Sequence, residues 1–156
     1  MTKYIRLYEE YTDIIQKGSS ARGWPDLRDA ITLRLPYMII DFKTEESRNN
    51  CESSDLKGSD YVKQSYFLKE DGKSKQYPSV FIFLDDADVN GLIKKLESKF
   101  DIGRIIYGEF GKRIPVIYSG GQSSDFGSDI KTGTGPDDME NDDYYKYNSS
   151  YYKFLN

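Results

Sequence analysis

Two short acidic motifs in this chain could carry chemistry together. The first is Pro25-Asp26, and the second is Asp41-Phe42-Lys43, which ends an apolar run. Side chains alternate along a strand, so Asp41 and Lys43 share one face while Phe42 packs on the other. Two carboxylates and a lysine at the end of a buried strand could hold a divalent metal and serve the attacking water in phosphodiester cleavage.

The composition restricts the chemistry that any such site can use. The 156 residues include no histidine and one cysteine, Cys51. This excludes nucleophilic catalysis that depends on imidazole, and it excludes the usual zinc cages of cysteine and histidine. Carboxylates, lysines and tyrosines must therefore act, and carboxylate oxygens prefer hard cations such as Mg²⁺ or Mn²⁺.

Hydrophobic periodicity predicts an alternation of helices and strands. Spacings of three and four residues indicate three helices, over residues 4–17, 60–69 and 87–100. Runs of branched and aromatic residues indicate five strands, over residues 30–35, 37–44, 79–84, 102–107 and 114–118. This order predicts an α/β (α+β) layer architecture, with a central sheet flanked by helices.

The last part of the chain differs from the rest. Residues 1–120 are predicted to form one α/β domain, whereas residues 121–156 are rich in Gly, Asn, Asp and Tyr and show no period. Acidic residues outnumber lysines there, and the whole chain has a net charge of −4. We expect an acidic tail that is either mobile or, because of its many tyrosines, docked on the body or on another chain. Truncation near Gly120 is expected to leave a folded body.

The order of these motifs resembles the PD-(D/E)xK nuclease superfamily, and within it the VRR-NUC and Holliday-junction-resolvase-like branch. The resemblance covers roughly residues 4–96. It implies an α-β-β-β-α-β core with a mixed sheet. By position, Asp26 and Asp41 would hold the metal and Lys43 would orient or deprotonate the attacking water. Glu10 would match a helix carboxylate that many members add, and Gln64 would match a glutamine on the following helix.

The resemblance implies a metal-dependent nuclease that hydrolyses DNA, either double-stranded or branched, with Mg²⁺ or Mn²⁺ as cofactor. A viral origin and a homodimer are both compatible with the sequence. No apolar stretch approaches the length of a membrane span, and a single cysteine suits a reducing interior such as the cytoplasm, or the host cytoplasm for a viral protein.

Structural explanations and a second function stay open for the same residues. Pro25-Asp26 also suits a plain turn, and Asp41-Phe42-Lys43 also suits a strand end that meets solvent. The alternative function, from another class, is a non-catalytic binding or inhibitor protein of viral or mobile-element origin. It would act through its acidic, tyrosine-rich tail on a basic partner or as a mimic of nucleic acid.

Overall fold

The computed structural model describes residues 24–84, 89–127, 129–139 and 143–155. Within them the α-helices are α1 (Trp24–Thr32), α2 (Glu45–Ser53) and α3 (Val89–Lys99), and Pro136–Met139 form a 3₁₀ helix. The strands are β1 (Tyr37–Phe42), β2 (Tyr61–Glu70), β3 (Lys73–Phe83), β4 (Ile102–Gly108), β5 (Val116–Ser119), β6 (Gln122–Asp125), β7 (Asp129–Gly133), β8 (Tyr144–Tyr147) and β9 (Ser150–Leu155).

All of these strands belong to one sheet, in the order β6-β5-β4-β1-β3-β2-β8-β9-β7. Each described pairing is antiparallel. The predicted PD-(D/E)xK-like core, a mixed sheet flanked by helices, is therefore wrong. The sheet is instead a curled half-barrel of antiparallel strands.

The connection between the two edge strands shows how strongly the sheet curls. Strand β6 ends at Asp125 and β7 begins at Asp129, although these strands lie at opposite edges of the sheet. In a flat nine-stranded sheet the edges would be about 38 Å apart. A chain segment of this length spans at most about 14 Å, so the two edges must approach each other.

The two faces of the sheet bury separate clusters. On β1, Met38 and Ile40 belong to the outer cluster, which also buries Cys51 of α2 and residues of α3. Tyr37 and Ile39 belong to the inner cluster, together with Leu27 and Ala30 of α1 and with Tyr145 of β8 and Tyr152 of β9. Helices α2 and α3 thus cover the outer face of the sheet, while α1 packs against its inner face, inside the curl.

The predicted helix over residues 60–69 is wrong, because these residues form β2. Val62, Gln64 and Tyr66 are buried and alternate with more exposed neighbours, which is the period of a strand. The strand turns into β3 through Asp71 and Gly72, both with positive φ (51° and 76°). An Asp-Gly pair of this kind is a strong hairpin signal, which periodicity alone missed.

Two further predictions concern the N-terminal part of the chain, and their outcomes differ. Residues 30–35, predicted as a strand, form the end of α1 and the turn after it, because Leu27 and Ala30 recur at helical spacing behind Pro25 in the first turn. The helix predicted before Gly18 lies outside the described residues, and Glu10 lies there with it.

The tyrosine-rich end of the chain is part of the sheet. Strand β8 pairs with β2, and β9 pairs with β8 and β7. Tyr145 and Tyr152 are among the largest fully buried side chains of the described residues. The predicted domain boundary at residue 120 falls in the tight turn between β5 and β6, where Gly120 and Gly121 both have positive φ.

Candidate functional site

A row of polar side chains crosses the inner face of the sheet. Arg104 of β4 lies opposite Asp41 of β1, Asp41 lies opposite Ser79 of β3, and Ser79 lies opposite Gln64 of β2. Residues directly opposite each other in adjacent strands point to the same face. Four strands therefore place four polar side chains side by side, on a face that is otherwise apolar.

Hydrogen bonds connect this row to the C-terminal strands. Asp41 Oδ1 accepts from Ser79 Oγ (2.8 Å), while Oδ2 accepts from Arg104 Nε and from the Tyr145 hydroxyl, both at 2.7 Å. Ser79 Oγ accepts from Gln64 Nε2 (3.1 Å), and Gln64 Oε1 accepts from the Tyr152 hydroxyl (2.6 Å). The network runs without a break from Arg104 to Tyr152.

The contact between Asp41 and Tyr145 also identifies the concave face. Strands β1 and β8 are three positions apart in the sheet, a distance of about 14 Å if the sheet were flat. Their side chains nevertheless meet, because the sheet curls toward this face. The polar row therefore lies inside the half-barrel.

Burial sets the protonation properties of this network. Asp41 is 3% exposed, and burial raises the pKa of its carboxyl group, while Arg104 and the hydrogen bonds from Tyr145 and Ser79 oppose that effect. Burial disfavours the charged form of Arg104, but the neighbouring acidic groups of Tyr145 and Asp41 outweigh it, so the pKa of Arg104 is raised. Burial raises the pKa of Tyr145 well above its usual value, which keeps its hydroxyl a donor to Asp41.

The Arg104 guanidinium is held on three sides. Its central carbon lies 4.3 Å from the Tyr66 ring centroid and 5.3 Å from that of Phe126. Nε is bound to Asp41 and Nη2 to the Tyr145 hydroxyl (3.0 Å). A guanidinium has five N–H donors, so both donors on Nη1 and one on Nη2 have no acceptor among the described residues.

Two cavities adjoin this guanidinium. The first, of about 350 Å³, is lined by Arg104, Phe126, Asp143, Tyr145, Lys153, Phe154 and Leu155. The second, of about 470 Å³, is lined by Asp41, Phe42, Lys43, Tyr66, Leu68, Lys75, Tyr77, Gly103, Arg104, Ile117 and Ser119. We call the second one the mouth cavity. Both have the size of small-molecule sites in proteins.

The structure brings some of the predicted site residues together and places others elsewhere. Asp41 and Lys43 do line one cavity, the mouth cavity. Gln64 joins the polar row, but from a strand and not from a helix. Asp26 lies in the first turn of α1 and is not among the described residues that line the mouth cavity.

Hydrogen-bond donors surround the carboxylate of Asp41. Its two oxygens already accept three hydrogen bonds, one of them from the positively charged Arg104. Among the residues that the structure describes, no three His, Cys, Asp or Glu residues are grouped so that they could hold a metal. The pairing of Asp26 with Asp41 on Mg²⁺ stays a prediction.

Sequence reasoning missed Arg104, Ser79, Tyr145 and Tyr152. A signal for Arg104 was available, because it is a charged residue inside the apolar strand Ile102–Gly108. A charged residue in a buried strand needs a partner, and Asp41 occupies the same kind of position in β1.

Comparisons with known proteins identify no relative of this chain. No family model matches it, and neither a curated protein nor a solved structure is significantly similar to it. No helix in the described part of the chain is long and apolar enough to cross a bilayer. The function must therefore be argued from the site itself.

Proposed function

We propose that the half-barrel binds a small organic anion, whose carboxylate, sulfate or phosphate group docks on the free edge of Arg104. The observation that carries this proposal is the orientation of the guanidinium. One edge is bound to Asp41 and Tyr145, the rings of Tyr66 and Phe126 lie against the guanidinium, and Arg104 lines two cavities. Arginine binds oxyanions through such a pair of parallel N–H donors.

Preorganisation favours binding at this position. The Arg104 side chain is 18% exposed, so most of its desolvation has occurred in the free protein. Its rotamer is fixed by the hydrogen bonds to Asp41 and Tyr145, so little side-chain entropy remains to be lost on binding. An oxyanion here would form charge-assisted hydrogen bonds, which are stronger than neutral ones.

The mouth cavity suits an anion better than the first cavity does. The first cavity is lined by two basic residues, Arg104 and Lys153, and by Asp143, whose carboxylate accepts hydrogen bonds from the Tyr66 hydroxyl (2.9 Å) and the Lys69 amide (3.0 Å). In the mouth cavity, Arg104 balances the charge of Asp41, the acidic residue among the described lining residues, and two further basic residues, Lys43 and Lys75, also line it. We therefore place the ligand in the mouth cavity.

Calorimetric titration with two flat anions, 2-naphthoate and phenyl phosphate, tests the proposal. We expect saturable binding to the wild-type protein and at least about tenfold weaker binding of 2-naphthamide, the neutral analogue, since a charged hydrogen-bonded contact contributes about 1.5–3 kcal/mol. The double variant Asp41→Asn, Arg104→Gln should lose the preference for the anion, because it has no guanidinium. It removes both partners of the ion pair, so no unpaired charge is left buried in the polar row. Lys57→Gln, on the exposed turn after α2, is the control and should bind like wild type.

The result that would overturn the proposal is a folded wild-type protein that binds neither anion. Equal affinity of the wild-type protein for naphthoate and naphthamide would overturn it too, because Arg104 would then make no contribution. Far-ultraviolet circular dichroism of each variant confirms that its fold is intact.

Metal-dependent hydrolysis of DNA stays a second candidate, because Asp41 and Lys43 line the same cavity. Its test is plasmid nicking in Mg²⁺ or Mn²⁺, with EDTA as the blank. If these residues act in cleavage, Asp41→Asn should lower the rate by about a hundred- to a thousandfold. Wild-type protein that cuts no DNA with either metal would exclude this candidate.

The cellular location of the protein and the role of its acidic tail stay predictions. The thiol of Cys51 is buried and free, which supports the cytoplasmic location that the sequence predicts. In the alternative function, the acidic tail engages a partner. Tyr145 and Tyr152 of that tail are buried in the half-barrel, so a partner would have to contact other residues of the tail.

A further inference from the structure

Two lysines mark the rim of the mouth cavity. Lys43 is exposed, and its backbone amide donates to the Asp101 carbonyl (3.0 Å), which fixes the chain where it leaves β1. Lys75 is exposed on β3, and its Nζ lies 5.2 Å from the centroid of the Tyr77 ring. Both side chains line the cavity that Arg104 adjoins from within.

The charges of the mouth cavity do not balance. Arg104, Lys43 and Lys75 are positive, and the negative charge among the described lining residues is that of Asp41. Arg104 and Asp41 neutralise each other through a 2.7 Å ion pair. Glu70, near the hairpin turn, interacts with Lys75 but does not line the cavity. The two rim lysines therefore give the entrance an excess of positive charge.

The walls between the rim and Arg104 are apolar and partly aromatic. Tyr66 and Tyr77 face each other on β2 and β3, with ring centroids 6.3 Å apart and planes 30° apart. Leu68 and Ile117 complete this part of the lining. Flat side chains and aliphatic groups of this kind favour a flat, apolar ligand body.

We infer that the ligand carries two acidic groups at opposite ends of a flat apolar body. The inner acid binds the free edge of Arg104, the body lies along Tyr66 and Tyr77, and the outer acid meets Lys43 and Lys75 at the rim. This inference rests on the proposed function, and it adds the class of ligand: aromatic or conjugated diacids and aryl phosphates with a second acid. Simple monoacids bind less tightly, because they use one end of the site.

The test compares two probes of the same flat body by calorimetry, 2-naphthoate with one acid and naphthalene-2,6-dicarboxylate with two. In the wild-type protein we expect the diacid to bind about three- to twentyfold more tightly, since two partly exposed ion pairs contribute up to about 1 kcal/mol each. High salt should reduce this advantage, because the rim charges are screened. The Lys43→Gln, Lys75→Gln double variant should bind both probes with nearly the affinity that wild type shows for the monoacid.

The matched control is Lys57→Gln, Lys112→Gln, which removes the same charge from two exposed positions that do not line the mouth cavity. It should keep the preference for the diacid. If the monoacid binds and the diacid gains nothing, this inference fails while the proposed function stands. If the control loses the diacid preference as fully as the rim variant does, the effect is one of net charge, and the inference fails as well. If neither probe binds, the proposed function itself fails.

Discussion

Truncation after Gly120 is expected to abolish cooperative unfolding. It would remove β6 to β9, and with them Tyr145 and Tyr152, two of the largest fully buried side chains. Each lost aromatic of this size costs about 3–5 kcal/mol. Together they approach the whole stability of an ordinary domain, which is about 5–15 kcal/mol. Strand β2 would also lose its partner β8.

Differential scanning calorimetry and near-ultraviolet circular dichroism of residues 1–120 measure this effect. We expect no sharp heat-absorption peak and no fixed aromatic signal, in contrast to the full chain. A single sharp transition in the truncated protein would show that the first five strands are a domain, as the composition predicts, and that the tyrosine-rich strands are an addition to it.

Replacement of Arg104 alone is expected to cause the largest loss among single substitutions at the site. Arg104→Gln leaves the Asp41 carboxylate buried with no opposite charge, and breaking one side of a buried ion pair costs about 3–5 kcal/mol. Adding Asp41→Asn should restore most of the loss, because an amide can keep hydrogen bonds to Ser79 and Tyr145 without a charge. The free energy of unfolding in urea measures both steps.

The control for this cycle is Asp41→Asn alone, which should leave an unpaired Arg104 and lie between wild type and Arg104→Gln in stability. If the two single losses simply add in the double variant, the two residues are not coupled, and the electrostatic account of the polar row is wrong.

Elements with a clear local period were predicted well. The strands at residues 37–44, 79–84 and 102–107 and the helix at 87–100 correspond to β1, the end of β3, β4 and α3. Each is an apolar segment whose period reflects burial of its own residues. The prediction of a helix at residues 60–69 is wrong because the apolar residues there fit both the helical period and the strand period. The Asp71-Gly72 turn, which is a hairpin signal, decides in favour of the strand.

The last four strands could not be found from hydrophobicity. Strand β6 has no apolar residue and β7 has one, Ile130, while the apolar character of β8 and β9 comes mainly from tyrosines set beside Ser and Lys. Turn residues gave the better signal. Gly120 and Gly121 connect β5 to β6, and Asn148, with φ of 52°, lies in the turn between β8 and β9. Each is a residue type that accepts positive φ in a tight hairpin.

Half of the site could be read from the sequence and half could not. Asp41 and Lys43 share a cavity because they are two positions apart on one chain segment, which is local information. Arg104 and Tyr145 reach Asp41 through the register of β4 on β1 and through the curl that brings β8 across the barrel. Register and curl depend on contacts between distant segments, so no local pattern contains them.

The pairing of β2 with β8 has a consequence for how the protein is made. On the ribosome, residues 61–70 emerge about 75 residues before the strand that will cover their free edge, so a nascent chain holds β2 as a ten-residue edge strand. Long uncovered edges invite pairing with other chains. Lys63 and Lys69, which lie on this strand, place charge along the edge during that interval. Pairing of the nascent protein with other chains should therefore occur most readily at the stage when β2 is complete and β8 has not yet been synthesised.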